Sequence, residues 1–301
     1  MGNLLQNYFH GKPGKRDFTE ADLPKDRIAL FFSVLGVRWR NMFSLNLLYL
    51  LCWIPAAVWT FVNIVQLNYQ LGLQGGTLAD GFLGNLLFSY LLVLFPLTAF
   101  TGPFTAGISL VTRNWARSEH SFVWLDFKAA MKENWKQALG VSAISSLIPL
   151  LLLVSTRIYM QMAAQSSLFY LPVALVWITA LLWALSSQLM YMLLISYELS
   201  FGQLLRNAFL MTFAALPKAA LVRLLTAVMP VLMVAAFLFF PAALGWMMPA
   251  AICMYGLFWL SLNKLLTASY ANAICEKYLN AQIEGAKTNI GLRPELDEDD
   301  E

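Results

Sequence analysis

Charge is what this chain has least of. Only 12% of its 301 residues are charged, 59% are hydrophobic, and the mean hydropathy is +0.62. Soluble domains carry about 25% charged residues. Too little polar surface is therefore available to face water on every side, and lipid must be part of the solvent. Histidine and cysteine are scarce as well. His10 and His120 flank no metal or nucleophile pattern, and Cys52, Cys253 and Cys275 sit far apart, the first two in apolar runs, with no metal spacing and no disulfide framework visible. No HExxH pair, no GxSxG elbow and no glycine-rich loop before Lys-Ser/Thr occurs. The chain thus reads as a non-enzyme without cofactor or metal. The polar–apolar alternation of membrane barrel strands is missing too. Residues 1–27 lack the apolar core of a signal peptide, so the first span is expected to act as an uncut anchor.

What the chain does have is long apolar runs, at about 43–66, 83–112, 138–160, 170–196, 219–241 and 246–269. Each is long enough to cross a bilayer as a helix. The expected fold is all-α, a polytopic membrane bundle of about six transmembrane helices. Its organisation is expected to be a flexible segment 1–27, one membrane domain 28–280 and an acidic disordered tail 281–301. Residues 28–40 mix apolar side chains with Arg38 and Arg40. They read either as a helix lying in the membrane interface or as a helical extension of the first span.

All but one (Arg157) of the 20 Lys and Arg residues fall in segments that six crossings place on one side. The positive-inside rule then puts both termini on the cytoplasmic side, with anionic headgroups facing the basic side. Lipid accounts for these charges, so nucleic acid is not an expected partner. Two segments on that side are amphipathic. Trp124, Phe127, Met131, Trp135 and Ala138 share one helical face, as do Phe201, Leu205, Ala208 and Phe209. Ser121-Phe122 and Ser200-Phe201 open these segments, and Pro149 and Pro230 follow in the next spans. The spacing hints at a parallel internal repeat of span, amphipathic helix and span.

The second run carries the most unusual pattern. Pro96 and Pro103 each remove a backbone donor, Thr98, Thr101, Thr105 and Ser109 form a hydroxyl stripe, and Thr98, Gly102 and Ala106 form a small-residue face. One reading is a broken helix lining a cavity. The other is close helix packing, with the hydroxyls satisfying the bend. Ionisable residues are almost absent from the span centres: Arg157, Glu198, Arg223 and Lys264 fall near span ends, from where each is expected to snorkel to the interface. Asn46, Gln188 and Asn263 read as interhelical hydrogen-bonding residues.

Three stretches carry a family resemblance: Gly102-Pro103-Phe104-Thr105-Ala106-Gly107, then Arg113-Asn114-Trp115-Ala116-Arg117, then Asp126-Phe127-Lys128 through Lys132-Glu133-Asn134-Trp135-Lys136-Gln137. With Asn46-Leu47-Leu48-Tyr49 before them, they resemble the YesL-like family of bacterial membrane proteins, which has no assigned biochemical activity. The matching positions are Gly102, Pro103, Arg113, Phe127, Lys132, Asn134, Trp135 and Gln137. The resemblance implies an association with carbohydrate uptake, as an accessory or partner-binding component of, for example, a sugar ABC importer. Asp126 and the matched residues of the basic loop are the candidate interfacial or partner contacts. The alternative is a small-solute transporter or channel with its cavity at the broken second span.

Overall fold

The computed structural model describes residues 22–73, 79, 81–239 and 244–294. Expectations for residues 1–21, for parts of the 67–82 loop and the 241–246 turn, and for the acidic end 295–301 lie outside the described residues. Among the described residues eleven α-helices follow one another: α1 (Arg27–Leu50), α2 (Ile54–Leu73), α3 (Phe82–Ala99), α4 (Gly102–Ala116), α5 (Val123–Glu133), α6 (Trp135–Ala163), α7 (Tyr170–Ser196), α8 (Phe201–Ala214), α9 (Leu216–Phe239), α10 (Leu244–Met254) and α11 (Leu260–Tyr278). Among the described residues there is no strand. Six helical stretches are long and apolar enough to cross a membrane: Arg27–Leu73, Phe82–Ala99, Trp135–Ala163, Ser167–Ser196, Leu216–Ala236 and Pro249–Gln282.

Residues 28–40 prove to be a helical extension. α1 starts at Arg27, where the Asp26 carboxylate accepts from Ala29 N at 2.7 Å, and runs through the first span with one 3-10 turn at Leu51–Trp53. The second apolar run is not one helix but two. α3 stops at Ala99 and α4 starts at Gly102. α4, at 15 residues, is shorter than a span, and it is the central element, packed on α1, α5, α6, α7 and α11. Ala106, Ile108, Val111, Thr112 and Trp115 on it are fully buried.

The break follows from proline chemistry. Pro103 has no N–H, so the carbonyl four residues back, Ala99 O, has no helical donor. In lipid such a group needs another partner. Ser142 Oγ of α6 supplies it at 2.5 Å. The same solution recurs on α9: Pro230 leaves Thr226 O free, and Asn263 Nδ2 of α11 donates to it at 3.3 Å. Close approach makes the first bond geometrically available. A Cβ on Gly102 would collide with Ser142 Oγ and with the Ala138 carbonyl, and one on Gly107 would lie 2.8 Å from Phe127 O.

α10 and α11 are joined by a π-helical turn at Tyr255–Trp259. Asn46, fully buried on α1, holds it from both sides. Its amide donates to Tyr255 O and Gly256 O at 2.7 and 2.8 Å, and its carbonyl accepts from Leu260 N and Ser261 N. Wide apolar faces remain uncovered by protein, such as Val58, Phe61, Val62 and Val65 on α2 and Leu221 and Leu224 on α9. On a water-soluble monomer faces of this extent would be an anomaly; in a bilayer, acyl chains cover them.

At the basic end of the bundle α5 and α8 lie across the helix ends. α5 begins with Asp126 accepting from Ser121 Oγ and Phe122 N, and α8 with a capping box between Ser200 and Gln203. Residues 281–294, expected to belong to a loose tail, are held against this end as far as Arg293. Arg293 N donates to Pro24 O, Arg27 Nη1 to Ile290 O and Asn289 N to Glu276 Oε2, and Arg27 pairs with Glu276.

Candidate functional site

A cavity of about 410 Å³ lies inside the bundle, between α1, α3, α4, α6, α7, α9 and α11. It extends from Trp53, Leu91 and Pro149 toward the basic end, where Ser109, Ser142 and Met192 bound it. Thr98, Thr101, Thr105 and Ser109 of the predicted stripe all stand on its wall, whereas Gly102 and Pro103 do not line it: they form the helix start packed on α6. The broken run thus has two different faces. Gly102 serves close packing, and the hydroxyls face a space.

The remainder of the wall was not read from the sequence. α6 adds Ser142, Ser145 and Ser146, and α7 adds Ser187, Gln188 and Tyr191. Their spacing of three and four residues puts the α6 serines on one face, a signal equal in kind to the threonine stripe. Most of these hydroxyls donate to backbone carbonyls of their own helices: Thr98 to Leu94 O, Thr101 to Thr98 O, Ser145 to Val141 O and Ser146 to Ser142 O, at 2.6–2.9 Å. Tyr49 OH and Thr105 Oγ1 are 2.7 Å apart.

Two cations complete the site, and here the expectation of snorkelling is overturned. Arg223 lies seven residues past the start of α9, about 10 Å along its axis. Its Nη2 donates to Ala184 O and to Ser187 Oγ of α7, so the side chain turns inward. Lys264 also lines the cavity, its ammonium 5.3 Å from the centre of the Tyr191 ring. The physical reason is local. For Arg223 the wall supplies the Ala184 carbonyl and the Ser187 hydroxyl, and for Lys264 the face of the Tyr191 ring. Among the described residues no Asp or Glu lines the cavity. Several polar atoms in its lining residues are buried without a partner among the described residues: Trp53 Nε1, Ser109 Oγ, Gln188 Oε1 and Arg223 Nε.

The residues proposed as partner contacts lie elsewhere, at the basic end, and most are engaged internally. Arg113 Nη1 donates to Ile195 O and Ser196 Oγ, Phe127 is buried under α4, Asn134 Nδ2 donates to Ala130 O and Gln137 Nε2 to Leu199 O at 2.9 Å. Lys132 and Trp135 remain exposed. Asn134, Trp135 and Gln137 border a cleft of about 660 Å³ whose other wall is Leu194–Leu199. In a smaller pocket beside Arg113 and Arg117, Tyr197 OH donates to Asn280 Oδ1 at 2.6 Å. Burial raises the Tyr197 pKa above the ordinary phenol value, which keeps this donor protonated. Among the described residues no three His, Cys, Asp or Glu side chains gather as a metal ion would require.

A family profile described as DUF624, protein of unknown function, matches residues 82–156, which cover α3 to most of α6. That stretch supplies the hydroxyl wall and the proline break. No curated protein and no solved structure matches the chain.

Proposed function

We propose that this chain is a multi-pass protein of the bacterial cell membrane that binds a small polar solute within its bundle and carries it across. The observation that carries the reading is the cavity, walled by hydroxyls of α3, α4, α6 and α7 and reached by Arg223 and Lys264. A membrane bundle held together only by packing has no use for such a space. Polar groups inside a membrane are costly and concentrate on solute paths. In this reading the basic end, with α5, α8 and both termini, faces the cytoplasm.

The test is thiol accessibility. In a chain with Cys52, Cys253 and Cys275 replaced by alanine, single cysteines at Thr98, Ser145 and Ser146 react with a membrane-impermeant thiol reagent. Cysteines at Val62 and Val93, which face outward among apolar neighbours, do not. Protection along the whole hydroxyl stripe, with the reagent applied to either side, would rule the cavity out.

A second reading is an accessory component of a sugar importer, with the chain placed among the YesL-like proteins. It is supported by the resemblance at Gly102–Gln137, by the DUF624 match over the same residues, and by Trp124 and Trp135 standing exposed at the basic end. Cross-linking in native membranes from Lys132 and Trp135 positions tests it; the same partner must be captured reproducibly, and its absence counts against the reading.

A further inference from the structure

We propose that the solute is a small hydroxylated oxyanion, a carboxylate or phosphate whose body carries hydroxyl groups, gripped at its charged end by Arg223 and Lys264. This rests on the solute-binding reading and names the class of solute.

The first argument is charge. Arg223 and Lys264 line the same space. No carboxylate lines that space, and Lys264 has neither ion pair nor hydrogen bond among the described residues, only the Tyr191 ring. Arg223 ties α9 to α7 through Nη2, which a purely structural role would explain. Its Nε is buried with no partner, which that role leaves unexplained. Two uncompensated cations in a protein interior are expensive, and a bound anion offsets both.

The second argument is the direction of the hydrogen bonds. Thr98, Thr101, Ser145, Ser146 and Ser187 have given their protons to backbone carbonyls. Ser145 and Ser187 also accept from Trp183 Nε1 and Arg223 Nη2, so the open lone pairs are mainly those of Thr98, Thr101 and Ser146, and the buried Gln188 Oε1 adds another acceptor. Those acceptors do not bind the oxygens of an anion, and besides the two cations the free donors left on the wall are Trp53 Nε1 and Ser109 Oγ. The acceptors can take hydrogen bonds from hydroxyl groups. The site is thus two-ended, cationic donors at Arg223 and Lys264 and acceptors along α3 and α6. At about 410 Å³ it has the size of a small-molecule site, which usually runs to about 300–1,000 Å³. A free hydroxylated acid or sugar phosphate fits this chemistry, and so does the glycerol-phosphate headgroup of phosphatidylglycerol.

The experiment uses the full chain in phosphatidylcholine nanodiscs, with binding followed by calorimetry and by the fluorescence of Trp53. The probes are gluconate, glucose 6-phosphate and uncharged glucose. A parallel set of discs contains phosphatidylglycerol, and native mass spectrometry reads the lipid retained. Gluconate or glucose 6-phosphate should bind about tenfold or more tightly than glucose. Arg223→Gln and Lys264→Met should each weaken that binding by about tenfold or more, and Lys264→Arg should restore it. Should Lys264→Met not assemble, judged by its elution and melting, Arg223→Gln carries the test. Retention of phosphatidylglycerol that both variants lose, without competition from soluble probes, supports the inference and assigns the oxyanion to lipid. Equal binding of glucose and the charged probes, unaffected by the two variants, overturns the inference and leaves the solute cavity standing. So does failure to hold any charged probe or phosphatidylglycerol while the Thr98 and Ser146 positions remain open to thiol reagent. Loss of that thiol access removes the cavity and both readings together.

Discussion

Gly102 does its work by lacking an atom. The α4 backbone touches α6 at this residue, and a Cβ there would fall on Ser142 Oγ and the Ala138 carbonyl, backbone that has no freedom to withdraw. Gly102→Ala should therefore cost about 1–3 kcal/mol as overpacking, read as a lower melting temperature in detergent. Gly36→Ala, where nothing stands within 4 Å, should be neutral or slightly stabilising in a helix. Arg223 and Lys264 show the opposite kind of residue effect. A long basic side chain set inside a span can reach a headgroup or turn inward. Sequence spacing does not separate the two outcomes. Only what α7 brings to the same place decides it, the Ala184 and Ser187 oxygens for Arg223 and the Tyr191 ring for Lys264.

At the scale of elements, proline and its substitute donors explain where helices break. If Ser142 is there to satisfy the carbonyl that Pro103 orphans, the two residues must be coupled. Ser142→Ala should destabilise the parent chain by about 1 kcal/mol. It should cost distinctly less in a Pro103→Ala background, where residue 103 again carries an N–H for Ala99 O. A thermal-unfolding double-mutant cycle measures this, and additive costs would refute the assignment. The break itself was legible, because Pro96, Pro103 and the small residues around them are a local signal. The donor was not, since Ser142 lies on another helix. For the same reason the threonine half of the cavity wall could be read from α3 and α4, whereas the serine half on α6 was overlooked although its spacing repeats the pattern. Asn46 could be recognised as a buried polar residue in α1. That it holds a π-helical turn between α10 and α11 depends on a contact more than two hundred positions away.

For the molecule as a whole, the number of spans was the most legible feature, because each crossing must satisfy its own backbone within about 20 apolar residues. The orientation follows from charge placement and is open to direct test. Fluorescent-protein fusions after residues 132 and 301 should both fluoresce, and alkaline phosphatase fused at either place should be inactive; phosphatase activity at residue 132 would invert the topology. The account stands or falls on whether the space bounded by Thr98, Ser146, Arg223 and Lys264 is wet. X-ray radiolytic footprinting on intact membranes, which makes hydroxyl radicals from water where it stands, answers this without any substitution. Trp53 and Tyr191, on the cavity wall, should be oxidised faster than Trp115, which is fully buried in the packed core at the basic end. Rates for Trp53 and Tyr191 as slow as that of Trp115 would mean that the bundle is dry and that its hydroxyls serve packing alone.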